Sequence, residues 1–212
     1  MARIVGVLGS KGGTGKSSLA HLAAHGFGSL PHPVDAVVIV TDPEDEVVQI
    51  NRRYFVVDGR DHTKLEAIIQ KLDEQDDLMI VVDGAASRIA VDQVISGITD
   101  LILIPFTPAR HDIIRAAKHL ERLSSAREGG AVGVPNRWPS NPALKTNANK
   151  LLDLLPRDRL LLPVPTLGKI VDLISHEAYG RVATSLSRPG QILALNVLQR
   201  IGVHPLDMRK RA

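Results

Sequence analysis

The sequence contains no cysteine. Disulfide bonds, thiolate metal sites and iron–sulfur clusters are therefore excluded, because each of them needs cysteine sulfur. A chain without cysteine also suits a reducing compartment, and we expect the protein to lie in the cytoplasm.

The sequence also lacks a long apolar run. A five-residue apolar run before Gly9 is too short for the core of a signal peptide, and no stretch approaches the roughly 20 residues that a membrane-spanning helix needs. Aromatic residues make up only 3% of the chain, so few rings are available to stack on nucleic-acid bases. The sequence therefore predicts a soluble protein.

Short runs of valine and isoleucine alternate with helical stretches along the chain. At 212 residues and 44% hydrophobic composition, the chain suits one domain over residues 1–212. Continuous hydrophobicity is typical of parallel strands buried on both faces. We therefore predict a three-layer α/β fold with a mostly parallel central sheet flanked by helices. The predicted strands are Arg3–Leu8, Ala36–Val40, Tyr54–Val57, Leu78–Val82, Leu101–Ile104 and Ala131–Val134. The predicted helices are Lys16–Leu30, Thr63–Glu74, Arg88–Ile98, Ala109–Arg127, Ala143–Leu155, Thr166–Ser175 and Pro189–Ile201.

The segment GSKGGTGKSSLA, residues 9–20, has the composition of a phosphate-binding loop. Glycines let backbone N–H groups converge on phosphate oxygens, and the N-terminus of the following helix favours negative charge. Lys16 is placed to reach the β- and γ-phosphates of a nucleotide, and the Ser17 hydroxyl to bind Mg²⁺. The predicted nucleotide-binding residues are Lys11, Gly12, Gly13, Thr14, Gly15, Lys16, Ser17 and Ser18.

Polar residues follow three of the predicted strands. Asp83 ends the run LMIVVD and is predicted to hold Mg²⁺ through water. Asp42 follows VVIVT, and Asn136 follows AVGVP. Ligands of open α/β sheets lie beyond the carboxyl ends of the strands, so Asp42, Asp83 and the polar residues of the segment DLILIPFTPARHD, residues 100–112, could converge on the nucleotide.

The loop departs from the strict GxxxxGK[ST] pattern, because Ser10 stands at its first position. The string KGGTGKS over residues 11–17 instead resembles the deviant Walker A motif of the ParA/MinD family of P-loop ATPases. The resemblance extends from Arg3 to about Gly202 and is strongest before residue 110. It implies ATP and Mg²⁺ as cofactors, an ATP-bound homodimer, and slow hydrolysis without a partner protein. The chain looks like the short form of the family, which begins directly at the first strand.

The resemblance also implies roles for single residues. Lys11 matches the signature lysine, which crosses the two-fold interface to the nucleotide of the partner subunit. Asp42 matches the second acid of the DxDP segment, which orients or activates the attacking water, and Val40 replaces the first acid. Asn136 matches the residue whose amide reads the adenine edge. Catalytic roles are therefore implied for Lys11, Lys16 and Asp42.

Basic residues are concentrated in the last quarter of the chain. Residues 157–212 carry nine Lys/Arg against four Asp/Glu, a net charge of +5, whereas residues 1–156 carry 17 against 19. This excess suits an anionic partner such as nucleic acid or a membrane surface, and equally a solvated face. If the partner is duplex DNA, contacts should go to phosphates and ignore sequence. The candidate DNA-binding residues are Lys169, Arg181, Arg188 and Arg200.

Three functions are compatible with these motifs. We predict a ParA-type ATPase associated with the nucleoid, which partitions or positions a plasmid, chromosome or protein assembly and is stimulated by a ParB-like or cargo-adaptor protein. A MinD-like membrane ATPase would need an amphipathic terminal helix. Instead, the apolar residues of the last helix are interpreted as core: Ile192, Leu195, Leu198 and Ile201. An ATP-dependent small-molecule enzyme would need a second pocket, and three helical histidines are interpreted as surface residues: His111, His119 and His176.

Overall fold

The structure is a computed structural model that describes residues 2–9, 12–45, 47, 53–84, 95–124, 130–167, 184–204 and 206. Its six strands are β1 (Arg3–Val7), β2 (Asp35–Val40), β3 (Phe55–Asp58), β4 (Leu78–Asp83), β5 (Leu101–Phe106) and β6 (Ala131–Pro135). They form one sheet in the order β3-β2-β4-β1-β5-β6, and every pairing is parallel. All six predicted strands are confirmed, with ends that differ by two residues at most.

Helices cover this sheet. They are α1 (Lys16–Phe27), α2 (His62–Asp73), α3 (Arg110–Ser124), α4 (Pro142–Leu151) and α5 (Thr184–Arg200), with short 3₁₀ turns at Leu152–Leu154 and Arg157–Arg159. The helix predicted over Arg88–Ile98 is described only at residues 95–98, which are helical. Of the helix predicted over Thr166–Ser175, only Thr166 and Leu167 are described, and neither is helical. The other predicted helices are confirmed with shifted ends.

The largest shift concerns α5, which begins at Thr184 rather than at Pro189. Proline lacks an N–H, so Pro189 inside the helix leaves the Ser185 carbonyl without its helical donor. Tertiary packing holds the helix together at this point. A Cβ on Gly26 of α1 would lie 2.0 Å from the Gly190 carbonyl oxygen, so the two helix backbones touch where both residues are glycine. This close crossing fixes α5 against α1.

Both faces of the sheet are covered. Helices α1 and α5 pack on one face, and α2, α3 and α4 pack on the other. Alternate residues of one strand serve the two layers: Val5 and Val7 belong to the first core, and Ile4 to the second. The predicted three-layer α/β fold is therefore confirmed. Among the helices described, none is both long enough and apolar enough to cross a membrane.

Candidate functional site

The chain between β1 and α1 forms a tight loop in which the backbone requires two glycines. Gly13 has a φ of 82° and Gly15 a φ of 88°, in the left-handed region that residues with a Cβ rarely adopt. Gly15 is the N-cap of α1, and its carbonyl accepts the first helical hydrogen bond from Leu19 N–H at 2.9 Å. The loop therefore places the N-terminus of α1, with its first N–H groups, at the carboxyl ends of the central strands.

The other predicted loop residues differ in exposure. Gly12 is exposed, Thr14 is buried, and Ser17 and Ser18 are half-buried in the first turn of α1. Lys11 lies outside the described residues, so its role across a dimer interface stays a prediction.

Lys16 is the first residue of α1 and is only 8% exposed. Its stem lies over the loop, since its Cδ is 3.6 Å from the place that a Cβ on Gly9 would take. A Cβ at position 9 would therefore make an ordinary van der Waals contact with this stem. The Lys16 ammonium lies close enough to Asp83 to act against the rise in the pKa of that carboxyl. The loop, the cation and the acid thus meet at one place.

Asp83 ends β4 and is 1% exposed. Neither of its carboxylate oxygens has a hydrogen-bond partner among the residues that the structure describes. Burial raises the pKa of Asp83 from its ordinary 3.8 to about 7, and the charges of Asp45 and Asp42 add to the rise. The nearby Ser17 hydroxyl acts against the rise in pKa, although its single proton is donated to Asp45. A buried carboxyl without partners calls for a cation or a proton.

The chain after β2 turns back towards α1. Asp42 Oδ1 accepts a hydrogen bond from Glu44 N–H at 3.1 Å, and the Asp42 carbonyl accepts one from Asp45 N–H at 3.2 Å. Through this turn Asp45 reaches the loop, and its Oδ2 accepts a hydrogen bond from the Ser17 hydroxyl at 3.0 Å. Sequence reasoning missed Asp45. Its signal was an acid three residues after a strand-end acid, a spacing common in turns without any function.

The oxygen groups around Asp83 fit a divalent cation such as Mg²⁺. The fit rests on a buried carboxylate that has no hydrogen-bond partner among the described residues and lies near a hydroxyl in the first turn of α1. Within the described residues, no three acidic or histidine side chains are grouped closely enough to hold a metal ion by themselves. Mg²⁺ commonly takes one or two protein oxygens and completes its shell with phosphate oxygens and water. Ser17 and Asp83 are the residues that would hold it.

Asn136 follows β6 and contacts the loop directly. Its Nδ2 donates to the Thr14 carbonyl at 2.9 Å, and its Oδ1 accepts from Arg137 N–H at 2.9 Å. A Cβ on Gly15 would lie 2.4 Å from the same Nδ2, so Gly15 is also needed for this close approach. Asn136 therefore braces the loop in this structure. Its contact with adenine stays a prediction.

A small cleft opens beside the loop, between β5 and α3, lined in part by Gly9, Thr14 and His119. Its volume of about 20 Å³ leaves room for about one water molecule. Sequence analysis interpreted His119 as a surface residue, and this is wrong: the side chain is half-buried, and burial lowers its pKa. His111 is exposed as predicted and lies 3.1 Å from a carboxylate oxygen of Asp112. His176 lies outside the described residues.

No model of a known protein family and no curated protein sequence matches this chain. Solved structures, by contrast, match it over nearly its whole length. MinD of Pyrococcus horikoshii, complexed with Mg-ADP, is 16% identical, with a TM-score of 0.69 over 93% of this chain and 96% of that one. A Cyanothece McdA variant in complex with ATP is 13% identical, with a TM-score of 0.65 over 96% and 97%.

A putative plasmid partition protein of Borrelia burgdorferi, bound to AMPPNP, is 12% identical, with a TM-score of 0.68 over 94% of this chain and 100% of that one. At such identities the comparison establishes the fold. The fold is that of the P-loop NTPases. More particularly, it is the version shared by MinD, McdA and plasmid partition proteins, in agreement with the resemblance of the loop motif.

Proposed function

We propose that this chain is a magnesium-dependent ATPase that positions a cargo inside the cell. One observation carries the proposal: two left-handed glycines bring Lys16 and the N-terminus of α1 to a buried carboxylate that has no partner among the described residues. Solved structures with the same fold hold Mg-ADP, ATP or AMPPNP. The nucleotide that fits this site is therefore ATP.

Three roles in ATP hydrolysis are assigned to described residues: phosphate binding, metal binding and positioning of the attacking water. Lys16 and the N–H groups at the start of α1 bind the β- and γ-phosphates and offset their charge. Ser17 and Asp83 are the residues that would hold Mg²⁺, and a bound Mg²⁺ would supply positive charge to the phosphoryl group. Asp42 is half-buried and lies two residues after the end of β2. Its Oδ1 accepts the hydrogen bond from Glu44 N–H. We assign its other oxygen to the attacking water.

Positioning requires a switch between two states, and dimerisation on ATP supplies it. In the ParA/MinD family that the loop motif resembles, the signature lysine at the position of Lys11 contacts the nucleotide of the partner subunit. We propose the same role for Lys11, so that ATP joins two subunits and hydrolysis separates them. The Aquifex aeolicus MinC:MinD complex shares this fold and is an assembly with a second protein. A stimulating partner of the ParB-like or cargo-adaptor kind would time the hydrolysis.

Size-exclusion chromatography with light scattering tests the switch. We expect a dimer with ATP and a monomer with ADP or without nucleotide. Lys11→Ala should still bind ATP by calorimetry but remain monomeric, because its contact lies across the interface. Lys145→Ala, which removes an exposed lysine on α4, should behave as the wild type. A normal ATP dimer of Lys11→Ala would remove Lys11 from the switch, and a wild type that binds no ATP would overturn the proposed function.

The surface that anchors the dimer has two candidates. For DNA, Arg188 is exposed on α5, whereas Arg200 donates to the carbonyl oxygens of Asp158 and Leu160 and is partly occupied. Lys169 and Arg181 lie outside the described residues. We favour DNA because the basic excess of residues 157–212 is doubled in a dimer.

An exposed apolar pair on α5 supports a MinD-like alternative. Ile192 is 38% exposed and Leu195 is 46% exposed, one turn apart, so interpreting these two as core was wrong. Leu198 is buried as predicted, and Ile201 is half-buried. An apolar pair of this kind could contact a lipid surface.

Fluorescence anisotropy separates the two surfaces. We expect the ATP dimer to bind unrelated duplexes equally well and the ADP form to bind weakly. Arg188→Glu should lower the salt slope of log K by roughly 2, because the dimer presents two copies of each contact. Lys118→Glu is the control, since Lys118 is exposed on α3, on the other side of the sheet. Equal binding with ADP, or no binding at low salt, would exclude DNA as the anchoring surface.

Vesicle flotation would then test the membrane alternative. Flotation of the ATP form with anionic vesicles, and its loss in Leu195→Asp, would support a membrane as the anchoring surface.

A further inference from the structure

Asp45 is an acid that the loop motif does not assign, and it contacts the centre of the site. Its Oδ2 lies 3.0 Å from the Ser17 hydroxyl oxygen and accepts its proton. Ser17 belongs to the first turn of α1, next to Lys16. A second carboxylate therefore reaches the hydroxyl that would bind Mg²⁺, and it comes from the turn after β2 rather than from a strand.

Position 40 shows why an additional acid matters in this chain. Val40 ends β2 and is paired in register with Asp83, and paired residues of neighbouring strands project from the same face of a sheet. The ParA/MinD resemblance places the first acid of the DxDP segment at this position. Here it is a fully buried valine. The strand position beside Asp83 therefore carries no charge.

The turn that carries Asp45 is held at several points. Asp42 caps it through Glu44 N–H, and the Arg60 guanidinium lies 3.5 Å from the Asp45 carbonyl oxygen. Arg60 is in turn fixed by Asp58, with a distance of 2.7 Å between their charged groups. These contacts use the backbone of Asp45 and leave its carboxylate directed at Ser17. The position of Asp45 is therefore held by Asp42 within the turn and by Arg60 from the chain that follows β3.

Asp83 supplies a second and independent sign of a ligand at this place. It is 1% exposed, and both of its oxygens lack a hydrogen-bond partner among the described residues. Asp45 contacts the Ser17 hydroxyl, and Asp83 is a neighbour of the same hydroxyl, so Ser17 links the two acids.

We propose that Asp45 is a positioning residue of the magnesium site, and that it supplies from the turn the negative charge that Val40 does not supply from the strand. The proposal rests on the proposed function, since it concerns the same site. By accepting the Ser17 proton, Asp45 leaves the lone pairs of the Ser17 oxygen for the cation. Partners of this kind around a metal ligand typically change metal affinity by about 10- to 100-fold.

The metal affinity of the 212-residue chain, rather than its turnover of ATP, tests this role. The probe is Mn²⁺, titrated into protein with ADP and followed by electron paramagnetic resonance. We expect Asp45→Ala to weaken Mn²⁺ binding by about 10- to 100-fold. Asp45→Asn should lose less, because its amide oxygen still accepts the Ser17 proton. ADP affinity in EDTA should stay unchanged, and thermal melting checks that each variant is folded.

Glu44→Gln is the matched control, because Glu44 is an exposed acid in the same turn. Equal Mn²⁺ affinity in the wild type and Asp45→Ala would overturn the proposal. So would an equal loss in Glu44→Gln, which would indicate a general effect of charge. A parallel loss of ADP affinity in EDTA would show that Asp45 supports the loop instead. If the wild type bound ADP without any dependence on metal, the proposed function itself would fail.

Discussion

Replacing Lys16 by alanine should weaken the binding of ATP with Mg²⁺ by roughly 30-fold to several-thousand-fold. Lys16 is only 8% exposed and begins α1, so its ammonium can meet the phosphates where water is largely excluded. Removing one partner of a buried charge pair costs roughly 2–5 kcal/mol, because the other charge is left unpaired. Each 1.4 kcal/mol corresponds to a factor of about ten in affinity. Isothermal calorimetry measures this loss directly.

The control is again Lys145→Ala, which removes the same charge from an exposed position on α4. Lys16→Arg is a second useful variant, since it keeps the positive charge but replaces a compact ammonium by a broad, planar guanidinium. Unchanged ATP affinity in Lys16→Ala would show that the loop does not bind phosphates. The assignment of the whole site would then have to be withdrawn.

Replacing Asp83 by asparagine should stabilise the protein at pH 8 when nucleotide and metal are absent. The folded pKa of Asp83 is raised from 3.8 to about 7, so the folded chain holds a proton that the unfolded chain has already lost. Stability contributed by this proton is present below pH 4 and is lost as the pH rises from about 4 to about 7. Asparagine removes that loss. The gain at pH 8 is roughly 4 kcal/mol at most, from a shift of about three units.

Urea unfolding at pH 3.5, 6, 7 and 8 measures the difference. The two proteins should be nearly equally stable at the lowest pH and should diverge as the pH rises. Glu66→Gln changes an exposed acid on α2 and should follow the wild type throughout. If Asp83→Asn ran parallel to the wild type across this range, Asp83 would not carry a raised pKa. In the wild type, Mg²⁺ with ADP should restore stability at pH 8, because the cation replaces the proton.

The strands and the loop could be predicted from the sequence for clear physical reasons. A strand buried on both faces is apolar along its length, so the runs LMIVV, which precedes Asp83, and LILIPF are recognisable without any structure. Two glycines at positive φ are required in the loop, and no other residue adopts that backbone as easily. The positions of Lys16 and Asp83 follow from these elements.

Residues that act through turns could not be predicted in the same way. Asp45 looks like any acid in a turn until the turn folds back onto Ser17. The contact of Asn136 with the Thr14 carbonyl joins two segments 122 residues apart, and no local pattern encodes that distance. Likewise, the start of α5 depends on Gly190 packing against Gly26, which outweighs the usual effect of Pro189.

The sequence by itself therefore determined the parallel sheet, the phosphate loop and the buried acid, because each depends on a local pattern of burial or backbone conformation. Only the tertiary structure decided which acid touches Ser17, which surface of α5 is exposed, and how far Arg200 is already occupied. The physical reason is common to all three. The contacts of these side chains join segments that lie far apart in the chain. Such segments come together only when the sheet has formed.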